Sequence, residues 1–428
     1  MLTGLDILVQ DGFTRCHGAR IGVLANQCAV DSAGVHLVEH LLARGLRPSL
    51  LFGPEHGLWS THQDMEPVEG MVDPVFGLPV DSLYGDREES LAPARDKLAA
   101  LDVLLIDLQD IGTRYYTYAA TVAKTLRVAH GSALRILLLD RQNPIDGVTV
   151  EGGLPDESLR SYVGELPVPH RHGLTLGELA VACADDEKLD VDLTVVALAG
   201  WDRSRYLDEQ QADGQPPTPG DPLIRNPQSA IRDRGHGIPC GPGIPLWVPP
   251  SPNMPTVETA IVYPGLCLLE GTNVSEGRGT TTPFLLFGAP FVAPDKLRRC
   301  LGEELPDGGF LLTSACFRPQ FGKWAGRLCN GLRLHVTDRS RFRPLRFGMA
   351  LVKWLRLLFP GEFKWRTQAY EFVDDRLAID LLLGHPGARE KLEAGAPVEE
   401  VAAAMEATAA RFREERSGRL LYPRNEFP

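Results

Sequence analysis

The chain has 428 residues, enough for two or three domains and a large core, and its 43% hydrophobic and 23% charged content is that of a soluble globular protein. The formal net charge of −12 excludes nucleic acid and anionic membrane as partners, because neither electrostatic attraction nor counterion release would favour them. An anionic substrate held by one local arginine stays compatible with that charge. The eight cysteines form no CxxC pair and no regular spacing, so buried free thiols are expected rather than staples. The opening MLTGLDILVQDG lacks a basic region followed by a long apolar run, and no stretch reaches the roughly 18 apolar residues of a membrane span. The expected location is cytoplasmic, or periplasmic or secreted if a leader has been removed.

Five short, two-sided hydrophobic runs occupy the first 200 residues: Arg20–Ala25, Ser49–Gly53, Asp102–Leu108, Arg135–Leu139 and Leu193–Leu198. Such runs suit parallel strands buried on both faces. Helical spacing lies between them. Val35, Val38, Leu41 and Leu42 precede Gly45, and Ala119, Val122, Leu126 and Ala129 precede Gly131. A third helix opens with Thr175 and Glu178 in capping-box spacing, with Leu174 and Leu179 placed for a hydrophobic staple. Repeated strand–helix–strand units predict an α/β fold with a Rossmann-like parallel sheet over residues 1–207.

The Pro- and Gly-crowded stretch 208–249 reads as a linker or active-site loop. Residues 250–428 are expected to form a smaller α/β domain that completes a cleft. Its strands are placed at Thr259–Tyr263 and Leu332–Thr337. One helix carries Leu345, Met349, Val352 and Leu355, and another Val401, Met405, Ala409 and Phe412.

Ligands bind at the carboxyl ends of strands in open parallel sheets. Here those ends carry Asn26-Gln27, then Pro54-Glu55-His56-Gly57, then Asp107 and Gln109-Asp110 leading to Arg114-Tyr115-Tyr116, and finally Asp140-Arg141. Glu55 reads as a general acid, because glycosidic cleavage needs a proton on the leaving oxygen. A lone loop glutamate is more often a cap or a solvated carboxylate, but Pro54, Gly57 and His56 around it favour function. Asp107 and Asp110 are both candidates for the second carboxylate. Arg114 with Tyr115, Tyr116 and Tyr118 suits a carboxylate and the apolar face of a sugar ring. His170 and His172 share one face of an extended segment without a third ligand at metal spacing, so hydrogen bonding or bracing is expected and no metal. The run from Glu270 to Thr280 offers Glu276 and Arg278 beside glycines, yet lacks the lysine of a phosphate loop. No GxSxG elbow or dinucleotide fingerprint is present.

The succession Gly4-Leu5-Asp6, Pro54-Glu55-His56-Gly57, Ser82-Leu83-Tyr84-Gly85, Asp107-Leu108-Gln109-Asp110-Ile111-Gly112, Arg114-Tyr115-Tyr116-Thr117-Tyr118, His172-Gly173-Leu174-Thr175, Pro250-Ser251-Pro252-Asn253-Met254-Pro255-Thr256 and the Glu270–Thr280 run resembles the NamZ family of bacterial exo-β-N-acetylmuramidases. The resemblance covers nearly the whole chain in order. It implies a Rossmann-like domain and a smaller α/β domain with the site between them. It also implies release of non-reducing terminal β-N-acetylmuramic acid from MurNAc-GlcNAc-type peptidoglycan fragments, as in cell-wall turnover, with no cofactor.

On this reading the catalytic candidates are Glu55, His56, Asp110 and Glu276. The substrate-binding candidates are Asn26, Arg114, Tyr115, Tyr118, His172, Asn253 and Arg278, with Arg114 or Arg278 meeting the lactyl carboxylate. Departures from the family pattern are Cys28 after Asn26-Gln27, Gln142 within the DR-x-NP motif, and a longer chain from Glu209 to Pro245. A non-catalytic muropeptide-binding protein and a hexosaminidase of shifted sugar preference are the competing readings.

Overall fold

Strand β1 (Ile21–Ala25) is wholly buried, and β2 (Leu50–Gly53) pairs with it on one side while β5 (Val103–Asp107) pairs on the other, both parallel. They form the centre of a computed structural model that describes residues 1–63, 66, 70–85, 87–212 and 246–422. Among the described residues β3 (Met71–Val72), β4 (Pro79–Ser82), β6 (Arg135–Leu139) and β7 (Asp192–Val196) complete a seven-stranded sheet of order β3-β4-β2-β1-β5-β6-β7. All its pairings are parallel except β3 with β4. The predicted parallel core is therefore present. The β3–β4 margin escaped prediction because Met71, Val72 and Pro79 are exposed and carry no buried period.

The three expected helices form at Leu37–Ala43, Tyr118–Ala129 and Leu176–Asp186. The last has the full capping box, Thr175 accepting from the Glu178 N–H while the Glu178 side chain reaches back to Thr175. Parallel connection delivers the carboxyl ends of β1, β2, β5 and β6 to one edge, and with them the polar loops.

The second half carries a three-stranded antiparallel sheet in the order β8 (Leu286–Ala289), β10 (Cys329–Val336), β9 (Phe310–Phe317). One expected strand is corrected. Thr259–Tyr263 lies inside a helix, Val257–Leu266, capped by the Thr256 side chain. Ala260, Ile261, Val262 and Tyr263 are all buried, so this helix has no polar face and its sequence runs apolar like a central strand. It crosses helix Pro344–Leu358 at Gly265 and Gly348, where backbones touch; a Cβ on Gly265 would sit 1.7 Å from the Pro344 carbonyl oxygen. The expected helix through Val401 and Phe412 breaks at Ala409 into Val398–Thr408 and Ala410–Glu415.

A single cluster of buried side chains runs from Leu24 and Leu104 in the large sheet to Leu345, Leu382 and Met405. The insertion at 213–245, with Cys240, lies outside the described residues. No helix among the described residues is long and apolar enough to cross a membrane.

Candidate active site

Strand β2 ends at Gly53, and the chain turns at once. The Gly57 N–H donates to the Pro54 carbonyl, and His56 and Gly57 both take left-handed backbone, φ 71° and 80°. Glycine suits that region and histidine does not, so the turn spends conformational energy to set Glu55 at the strand's end. Glu55 is only 5% exposed. Its Oε2 accepts from Thr117 Oγ1 at 2.5 Å, and Thr117 comes from the loop after β5, immediately before helix Tyr118–Ala129. His56 lies beside it with Nδ1 3.1 Å from the His62 carbonyl oxygen. That contact makes Nδ1 the N–H nitrogen and leaves Nε2 the acceptor in the neutral ring.

Glu55 and His56 line a narrow cleft whose far wall belongs to the second half of the chain: Asn253, Glu270, Arg278, Phe284, Tyr370 and Glu371. Asn253 bonds Gln63 at 3.0 Å. Arg278 pairs with Glu270 at 2.8 Å and Glu276 at 3.3 Å, with its guanidinium over the Phe284 ring. Glu270 also accepts from Tyr370 at 2.7 Å. A larger groove beside Leu166, Leu179 and Phe412 shares no lining residue with this cleft; charged side chains along it such as Glu165, Glu187 and Arg419 are held in ion pairs, the first two with Arg127 and the last with Asp186.

Glu55, His56, Tyr115, Asn253 and Arg278 are thus brought together as expected. The other candidates are not, each for a visible reason. Asp110 is buried outside the cleft. Its Oδ2 accepts from the Gly112 N–H at 2.7 Å and faces His172 at 3.7 Å, and burial pushes its carboxyl up to about 7. His172 accepts from the Leu174 N–H, and burial drives it down to about 3. Arg114 spends its donors on the carbonyls of Gly153 and Leu382 at 2.8 and 2.9 Å, so no carboxylate reaches it; burial pulls it down to about 10. Glu276 lies behind Arg278, and although burial alone would raise it, Lys323 and Arg278 bring it down to about 2.

Asn26 and Tyr118 both donate to the Pro250 carbonyl, at 3.1 and 2.5 Å. They tether the Pro250-Ser251-Pro252-Asn253 segment to the sheet edge and touch no ligand space. Tyr115 donates to the Pro264 carbonyl and packs on Tyr263, so its contribution to the cleft is a wall and not an open sugar platform. His170 contacts Arg114 and the Leu382 carbonyl, away from His172's partners. Among the described residues no three His, Cys, Asp or Glu side chains gather as a metal set.

Sequence reasoning quotes Thr117 and Glu270 within motifs without giving them a role, and names neither Tyr370 nor Glu371. Thr117 follows the two tyrosines directly and was quotable as part of their motif. Glu371 had no such signal: Glu371-Phe372-Val373-Asp374-Asp375 reads as an acidic surface loop. Yet Glu371 is 4% exposed, and it and Phe372 both take left-handed backbone, φ 47° and 68°, at a cost of about 1–3 kcal/mol each.

Two family models cover most of the chain. One described as exo-β-N-acetylmuramidase NamZ, N-terminal, matches residues 21–224, and one described as exo-β-N-acetylmuramidase NamZ, C-terminal, matches residues 261–422. A peptidoglycan β-N-acetylmuramidase NamZ from Bacillus subtilis (strain 168) is 35% identical over 422 residues, 98% of this chain and 91% of that protein. Two crystal structures of DUF1343-family proteins from Bacteroides fragilis share the fold. One has a TM-score of 0.77 at 26% identity, covering 98% of both chains. The other has 0.70 at 25% identity, covering 99% of both.

Proposed function

The chain belongs to the NamZ family of exo-β-N-acetylmuramidases and is a glycosidase acting on a peptidoglycan-derived saccharide; on that premise we propose that Glu55 supplies the proton that breaks the bond to a terminal β-linked N-acetylmuramic acid. The observation that carries this is a buried carboxylic group at a strand end, gripped by Thr117 and facing a cleft lined by polar and aromatic side chains from both halves of the chain. A general acid needs reach and a fixed orientation before anything else. The Thr117 hydrogen bond holds one oxygen of Glu55, so the other is the one turned to the glycosidic oxygen. Proton transfer there lets the C1–O bond break, and water then adds at C1. His56, fixed through Nδ1 to the His62 carbonyl, presents Nε2 to the same space and orients substrate or water.

Arg278 is the cleft guanidinium that would meet the lactyl carboxylate distinguishing N-acetylmuramic acid from N-acetylglucosamine. Glu270 and Glu276 hold it in one orientation, so the planar guanidinium is presented to the cleft in a fixed geometry suited to a carboxylate. The preferred fragment on this reading is a MurNAc-GlcNAc disaccharide.

The test is release of chromophore from an aryl β-N-acetylmuraminide, compared with the matching N-acetylglucosaminide. The wild type is expected to cleave the first at least tenfold faster, and Glu55→Gln to be folded and nearly inactive on it. A fully active Glu55→Gln would remove Glu55 from the reaction. Equal rates on the two sugars would remove Arg278 from selectivity. Calorimetric binding of the disaccharide without turnover would leave a binding protein instead.

A further inference from the structure

Glycosidic cleavage leaves positive charge on the sugar ring, and a proton donor on one side calls for a carboxylate near the reacting carbon. Among the described residues the cleft contains three carboxylic side chains: Glu55, Glu270 and Glu371. Glu270 is committed to holding Arg278 and Tyr370. Glu371 is placed by a backbone turn and by Tyr84. It comes from a tight turn closed by the paired backbones of Tyr370 and Val373, whose two central residues, Glu371 and Phe372, both have positive φ. Turns with two left-handed central positions favour Gly, Asn and Asp. A glutamate and a phenylalanine there are locally unfavourable choices, and strain of this kind marks functional positions.

The turn is also anchored across the cleft. Tyr84, from the Ser82-Leu83-Tyr84-Gly85 segment after β4, donates to Glu371 Oε2 at 3.1 Å and packs its ring edge-on against Phe372 at 6.0 Å. The first half of the chain therefore holds in place a carboxylate contributed by the second. The Tyr162 phenol, raised by burial first and then by the charges of both Glu55 and Glu371, lies within electrostatic reach of the two at once. Left-handed non-glycine backbone thus sits on both walls of the site, at His56 next to Glu55 and at Glu371 itself.

We infer that Glu371 is the second catalytic carboxylate, facing the anomeric carbon of the bound sugar and carrying negative charge while the glycosidic bond breaks, with Tyr84 as its positioning residue. The inference rests on the glycosidase reading above. In the step it describes, Glu55 gives its proton to the glycosidic oxygen, and the C1–O bond breaks with its electron pair passing to that oxygen. The ionised Glu371 stabilises the ring cation. Water then adds at C1 and returns a proton to Glu55, so both carboxyl groups end as they began.

The experiment compares the full-length wild type with Glu55→Gln, Glu371→Gln, Glu371→Asp and Tyr84→Phe on the MurNAc-GlcNAc disaccharide and on a dinitrophenyl β-N-acetylmuraminide, whose leaving group needs no proton. Glu371→Gln is expected to lose about 10²- to 10⁴-fold in kcat on both substrates, with KM within a few-fold. Glu55→Gln should lose far more on the disaccharide than on the dinitrophenyl glycoside. The wild-type kcat/KM profile is expected to have an acid limb that Glu371→Gln lacks, a loss that a merely structural role would not produce. Tyr84→Phe should lower kcat, keep both limbs and leave KM little changed.

Full activity of Glu371→Gln, or a raised KM at unchanged kcat, would overturn the assignment. If Glu371→Gln does not fold, Glu371→Asp decides. Reduced kcat with the acid limb retained supports the role, and wild-type kcat refutes it. A wild type inactive on both substrates would overturn the glycosidase reading itself, a result distinct from an active wild type with an indifferent Glu371.

Discussion

Asp110 offers the sharpest test of the difference between a functional and a buried carboxyl. Sequence places it at a strand's carboxyl end like Glu55, but the structure sets it outside the cleft at 4% exposure, with Oδ2 on the Gly112 N–H and Oδ1 without a hydrogen-bond partner among the described residues. Burial is the leading cause of its rise from 3.8 to about 7. A carboxyl raised in the folded state holds a proton there that the unfolded chain has already released. Folding therefore takes up a proton between about pH 4 and 7, and the stability present below pH 4 is lost as pH rises through the folded value. From 3.8 to about 7, at about 1.4 kcal/mol per pH decade, the loss is about 4 kcal/mol.

Asp110→Asn removes the titration. Its amide nitrogen lacks a partner and adds a cost of about 1–3 kcal/mol that does not vary with pH. The quantity to read is thus the change in the variant-minus-wild-type stability from pH 4 to pH 8, measured by urea unfolding. The variant is expected to gain about 4 kcal/mol relative to wild type over that range, with the gain levelling off above pH 7, and its kcat is expected to stay near wild type. Parallel stability curves for the two proteins would refute the buried-carboxyl argument, and a large loss of kcat would return Asp110 to the reaction.

Four further substitutions have outcomes set by their local surroundings. Thr117→Val removes a hydrogen bond that strengthens to about 1.5–3 kcal/mol as Glu55 gives up its proton and gains charge, and is expected to lower kcat/KM about 10- to 100-fold in steady-state assays. Arg203→Met leaves Glu178 buried without its 2.8 Å partner and strips donors from the Gly147, Gly173 and Tyr422 carbonyls, so calorimetry should show a loss of about 3–5 kcal/mol. Gly265→Ala forces apart two touching helices and should cost about 3 kcal/mol or more. Gly302→Ala, on an open helix face with nothing within 4 Å, should instead stabilise by about 0.5–1 kcal/mol. Thermal melts of the two alanine variants moving in the same direction would contradict the packing account.

The large sheet was legible because a parallel strand buried on both faces is apolar almost throughout, and β1, β5 and β6 are five-residue runs, too short for a helix and alternating with helical patterns. Glu55 was legible for a related reason: the strand that aims it and the turn that exposes it are contiguous with it. Helix Val257–Leu266 was not, since total burial erases the period that separates helix from strand. Arg114 and Arg278 show where local reasoning stops. Each follows a glycine-bearing polar run, and each could serve a carboxylate. What assigns Arg114 to structure is a pair of carbonyls 39 and 268 residues away along the chain.

The same separation hid the second carboxylate. Tyr84 and Glu371 are 287 residues apart, and their contact exists only once the two halves have packed into one core. A catalytic pair divided in this way is assembled by tertiary structure. Its rate thus becomes sensitive to the packing between the halves, whereas a motif held within one turn would be buffered from it. Substitutions at that packing, such as Gly265→Ala, should then lower kcat at temperatures where the protein is still folded. A variant that loses Tm but keeps full kcat up to its melting transition would show that the cleft geometry is set within each half alone.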